Sequence, residues 1–186
     1  AGASDGLSRM LGRFLQLGDL PRPELDERVR ARLSARGLTG AYEAAGLAEI
    51  ISPANAGESA ALPMAVRFAN DRERNLLVHR VLTHYGFERP VLVWIDDAQW
   101  GADALGFVKQ VLEAPLKGPD PILFLITVRE DLLPERTVES ALIGALERGG
   151  RTRRIDLSPL GAEDHRRLVE ELLLLEGGLA NQVFLR

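Results

Sequence analysis

The chain has 186 residues, 46% hydrophobic and 27% charged, a balance that supports one domain with a substantial core and argues against overall disorder. Its formal net charge of −4 supplies no global attraction to nucleic acid, and no apolar stretch approaches the roughly 20 residues that span a bilayer. The absence of cysteine excludes disulfides and thiolate metal sites, and the first residues lack a charged-then-apolar targeting pattern.

In chain order, Leu7, Met10, Leu11, Phe14 and Leu15 recur at helical spacing, and glycine and two prolines between 17 and 23 end that first helix. A charged helix is predicted over 24–36, with Leu25, Val29 and Leu33 as a narrow apolar stripe. A short helix over 41–51 is followed by a loop of small residues over 52–61, which is expected to be mobile. A long helix is expected from about Pro63 to His84, burying Met64, Phe68, Leu76, Leu77, Val81 and Leu82. His79 and His84 lie five apart and so on different faces of it, which disfavours a metal pair.

Gly86 and Pro90 then lead into the run Val91, Leu92, Val93, Trp94 and Ile95, read as a strand of a parallel sheet covered on both faces. A helix is predicted from about Ala102 to Leu116, and a second apolar strand starts at Ile122. A helix over 138–146 ends at Gly149 and Gly150, and a third strand is expected over 151–157. Pro159 and Gly161 make a corner before an amphipathic helix over 162–175. The fold class expected is therefore α/β. No internal repeat and no GxSxG nucleophile elbow is present.

The chemistry concentrates where the first apolar run ends in two adjacent carboxylates, Asp96 and Asp97. Ligands of parallel sheets gather at the carboxyl ends of the strands. An acidic pair there can hold Mg²⁺ through one carboxylate and orient an attacking water with the other, which assigns the metal to Asp96 and the water to Asp97. The alternative is that both acids cap the helix that starts near Gly101. The second strand ends at Arg129, and a strand, helix and strand of this length fit one βαβ crossover. With neighbouring strands, Arg129 comes to the same sheet edge, where its guanidinium can contact a γ-phosphate or form an ion pair with Asp97 or Glu130.

Three blocks of the sequence resemble the STAND signal-transduction ATPases of the AAA+ class, the ATPase modules of bacterial transcription regulators and serine/threonine kinase fusions. They are VLVWIDDAQWGADAL at 91–105, ILFLITVRED at 122–131 and RIDLSPLGAEDHRRLVEELL at 154–173. The resemblance implies a three-layer parallel sheet of P-loop NTPase type, incomplete at its N-terminus, over 1–158, and the start of a helical lid over 159–186. It further implies ATP and Mg²⁺ as cofactors, with Asp96, Asp97 and Arg129 binding them and Asp97 and Arg129 catalytic. A cytoplasmic signalling switch is expected, partnered by other domains of the same polypeptide or by a regulatory protein, with no direct contact to nucleic acid or membrane.

The departures from the family carry equal weight. No GxxxxGK followed by Ser or Thr occurs, and the two lysines, Lys109 and Lys117, precede Gln110 and Gly118. Without that loop the main triphosphate grip is missing, so weak or no ATP binding is expected of these 186 residues, read as a fragment of a longer protein. NQVFLR at 181–186 carries Gln182 where the family has proline. A non-catalytic scaffold built on a degenerate ATPase domain is the alternative. A two-component receiver fits poorly, because its acid pair follows the first strand, whereas here the acids sit at positions 96 and 97 of 186.

Overall fold

A computed structural model describes residues 5–173 except 19, 56, 58, 60, 61, 63, 116, 117 and 119; the ending at 181–186 and the last residues of the final predicted helix lie outside the described residues. The chain divides into two units, Ala1–Thr152 and Arg153–Arg186.

The first unit opens with α1 (Asp5–Phe14), α2 (Arg22–Ser34) and α3 (Ala41–Ile51). Their apolar stripes meet: Leu7, Leu11, Leu25, Val29, Leu33 and Leu47 are all buried in one cluster. Pro23 occupies the first turn of α2, where its missing N–H costs nothing. Arg22 is almost fully buried and pairs with Asp26 at 3.0 Å and with Glu49 at 2.8 Å, so a charge that would be costly alone ties α2 to α3.

The next helix, α4 (Asp71–Gly86), begins later than the expected Pro63. Asn70 is the reason: its side chain accepts a hydrogen bond from the Glu73 N–H at 3.0 Å, while the Glu73 carboxylate accepts from the Ala69 N–H at 2.8 Å. This reciprocal capping, with Asp71 and Glu73 against the helix dipole, fixes the N-terminus and leaves Met64 and Phe68 in the connection before it. At the other end Gly86 lies so close to Pro121 that a Cβ would sit 2.5 Å from its ring, which explains the glycine where α4 passes the start of the second strand.

Strand β1 (Val91–Ile95) and strand β2 (Ile122–Ile126) pair in parallel, Val91 opposite Ile122 through Ile95 opposite Ile126. A 3-10 turn (Ala98–Trp100) and α5 (Ala102–Glu113) connect them. Val91, Val93, Ile122 and Phe124 face the helices, and Phe107 of α5 meets Phe124 edge-to-face at 6.0 Å. After β2 come a second 3-10 segment (Glu130–Glu135) and α6 (Thr137–Arg148), whose Leu146 packs with Ala98, Leu105 and Val108.

The expected three-layer parallel sheet is not found. Helices dominate the described residues, and the sheet has two strands with one face open: Leu92, Trp94, Leu123 and Leu125 are between 49% and 66% exposed. A continuous apolar run implies burial on both faces; the observed exposure alternates along both strands because, among the described residues of the first unit, helices cover one side alone. The third strand is also absent. Residues 153–157 of the second unit make no ladder, Arg154 pairs with Asp156 at 2.6 Å, and Ile155 and Leu157 stand in solvent. Their alternation suits a strand, but alternation without a partner edge does not make one. The second unit otherwise shows α7 (Ala162–Leu173), with Glu163 and Asp164 in its first turn.

The one-sided sheet predicts unequal mutational costs. Phe107→Ala is expected to destabilise the protein by about 3–5 kcal/mol, and Leu123→Thr by less than about 1 kcal/mol, both measured by urea denaturation. A comparable loss for Leu123→Thr would contradict the open face.

Candidate functional site

The parallel register sets what meets at the carboxyl edge of the sheet. One step beyond the last strand pair, the Thr127 N–H donates to the Ile95 carbonyl at 3.0 Å, and the Ala98 N–H donates to the Thr127 carbonyl at 2.9 Å. The chain at 96–98 thus wraps around Thr127. The Thr127 hydroxyl donates to Asp96 Oδ1 and accepts from the Asp97 N–H at 3.1 Å. Asp97 takes up the left-handed region, φ 51° and ψ 47°, which Asp tolerates better than most residues and which turns the chain sharply off the strand.

Gln99 is fully buried and uses both ends of its amide. Nε2 donates to Asp97 Oδ1 at 3.0 Å, and Oε1 accepts from the Arg129 N–H at 3.1 Å. Arg129 itself points to solvent and pairs with Asp131, Nη2 to Oδ2 at 2.8 Å. Asp96, Asp97 and Arg129 therefore share one edge, as the strand reading expects, but the ion partner of Arg129 is neither Asp97 nor Glu130. Neither acid caps a helix: Asp97 makes no side-chain cap to the 3-10 turn, and Gly101 holds the N-cap position of α5. Beside them the half-exposed Trp100 lies under the Arg136 guanidinium, 3.7 Å from its ring centroid, a cation–π contact that fastens the turn to the head of α6.

The Asp131 hydrogen bond and charge raise the Arg129 pKa, and Asp97 adds a smaller contribution of the same sign. Reciprocally, the hydrogen bond from Arg129 holds the Asp131 carboxyl below its usual range. Because the folded pKa of Asp131 is the depressed one, the pair favours folding above the ordinary carboxylate range and loses that effect as pH falls through the folded value. Both groups are exposed, so solvent screens the contribution.

Thr127 and Gln99 were missed by sequence reasoning. Thr127 had a signal: it is the first polar residue past β2, as Asp96 is past β1. Gln99 had none, because nothing local marks an amide between two acids and a tryptophan as buried. A cavity of about 510 Å³ lies elsewhere, lined by Glu49, Phe68, Asn70 and Arg74 among others, and no residue of the acidic edge lines it. Among the described residues no group of three or more His, Asp or Glu is placed to hold a metal, and no helix is long and apolar enough to cross a membrane. A scan against protein-family models, a search of curated proteins and a search of solved structures each find no match.

The Arg129–Asp131 pair is open to a direct check. Arg129→Ala is expected to return the Asp131 carboxyl upward to the ordinary range in a carbon-13 NMR titration; an unchanged Asp131 midpoint would exclude Arg129 as the cause.

Proposed function

We propose that this chain supplies the acidic and arginine edge of an ATP-dependent signalling switch. The observation that carries the reading is the register of β1 and β2, which brings Asp96, Asp97 and Arg129 to one end of the sheet. The sequence blocks that resemble STAND ATPases support it.

The residues fit a hydrated Mg²⁺ ion. Asp96 and Asp97 are exposed and each commits Oδ1 to a neutral donor, Thr127 or Gln99, which leaves Oδ2 outside those bonds. Mg²⁺ retains several waters and takes one or two carboxylates together with substrate phosphates, so the pair would supply the protein's share of the ligands. Asp96 would hold the ion and Asp97 would orient water, while Arg129 would exchange Asp131 for a phosphate oxygen. When bound, Mg²⁺ neutralises charge that develops on the phosphate oxygens of ATP. The phosphate cradle is another matter. The sequence has no P-loop motif, so these residues provide only part of a triphosphate grip. Slow turnover suits such a site, because the nucleotide sets a conformation read by other domains or a regulatory partner in the cytoplasm.

A second reading, a non-catalytic scaffold, is favoured by one observation: the exposed apolar face of Leu92, Trp94, Leu123 and Leu125, a surface suited to contact rather than catalysis.

Calorimetric titration with Mg²⁺ and with Mg-ATP separates the two. The switch requires that Asp96→Asn weaken Mg²⁺ binding at least about tenfold, the scale on which even outer-shell changes weaken metal sites. In a polypeptide that also carries a phosphate loop, Asp97→Asn should bind Mg-ATP but not hydrolyse it. Identical titrations for wild type and Asp96→Asn would leave the scaffold reading.

A further inference from the structure

Gln99 makes a connection that no other side chain of the acidic edge makes. It is fully buried, its donor end meets the acid assigned to water, and its acceptor end meets the backbone N–H of the residue assigned to phosphate. Thr127 also spans Asp96 and Asp97, but its hydrogen bonds stop at the end of β2 and do not touch Arg129. We propose that Gln99 is the positioning residue that couples the Asp96–Asp97 turn to the Arg129 backbone. The inference rests on the switch reading and adds the route by which a change at the acids reaches the arginine.

The chemistry of the amide supports this role. Its two ends are fixed 2 bonds apart through one carbon, so a shift of Nε2 at Asp97 moves Oε1 at Arg129 in the same rigid plane. Burial raises the strength of both hydrogen bonds and the cost of leaving either partner unmade. A cation held by Asp96 would draw on the Asp96–Asp97 turn, and the amide that engages the Asp97 carboxylate would carry that shift to the Arg129 N–H. The same 3-10 turn reaches further: Ala98 packs with Leu146 of α6, and Trp100 stacks under Arg136 at the head of that helix. A displacement of Gln99 is therefore felt on both sides of the turn.

The test is a double-mutant cycle read at one amide by NMR hydrogen exchange. Gln99→Met keeps the bulk and removes both polar ends; Gln99→Asn, one methylene shorter and unable to span both partners, serves if the first variant fails to fold. In the wild-type background Asp97→Ala is expected to speed exchange of the Arg129 amide about fivefold, the effect of weakening one net hydrogen bond. In the Gln99→Met background that amide should already exchange fast and Asp97→Ala should add nothing. Additive effects of the two substitutions, or an Arg129 amide indifferent to Asp97→Ala, would overturn the proposal, and a merely space-filling Gln99 would give that indifference. Mg²⁺ alone is the second probe. Resonances of Asp97 and Arg129 should both move in wild type, and only that of Asp97 in Gln99→Met; movement of Arg129 in both proteins would again overturn the coupling. If Mg²⁺ moves no resonance of Asp96 or Asp97, the switch reading fails, while the substitution cycle still decides the role of Gln99.

Discussion

The parallel pairing of β1 with β2 is the constraint on which the site depends. A slip of one residue would reverse the faces of β2, exposing Phe124 and burying Leu123, and would break the edge contact with Phe107. A slip of two would keep the faces but carry Thr127 about 6.6 Å along the strand, out of register with Asp96. Packing therefore fixes the parity of the register, and the hydrogen bonds at Thr127 and Gln99 fix its absolute value.

Sheets this small are marginal unless something covers them. Here α4 and α5 cover one face, and the core they share with α1 to α3 holds most of the large buried side chains, among them Leu11, Leu47, Leu82 and Phe107. The helical part thus does the stabilising, and the two strands serve to aim their ends. That division explains how a site can be built on a sheet with an open face, and it also leaves that face as the most apolar exposed surface of the first unit's strands.

Local pattern made much of this legible. The strand at 91–95 and the helix at 41–51 are found as read, the first a short apolar run rich in β-branched residues and bounded by turn residues. What failed depended on tertiary context. The apolar character of Leu92 and Trp94 implied cover on both faces, yet a side chain does not encode whether a neighbour exists to cover it. Residues 151–157 carry strand periodicity but pair with no strand among the described residues. The helix expected from Pro63 starts at Asp71 because the Asn70 cap, and not the apolar Met64 and Phe68, sets its N-terminus. At the site, the acids and Arg129 could be named from their places after strands; Asp131, two residues beyond Arg129, is a local partner that sequence position does not select over Glu130, whereas Gln99 as the bridge is a fact of three-dimensional closure.

The most direct test of the account is the register itself. The chain has no cysteine, so paired substitutions report without interference. Leu92 and Leu123 are register partners on the open face. Under mild oxidation, Leu92→Cys with Leu123→Cys should form an intramolecular disulfide, detected by peptide mass, faster than Leu92→Cys with Leu125→Cys. Preferential crosslinking of the second pair would place Thr127 opposite Trp94 instead of Asp96 and so contradict the register that builds the site.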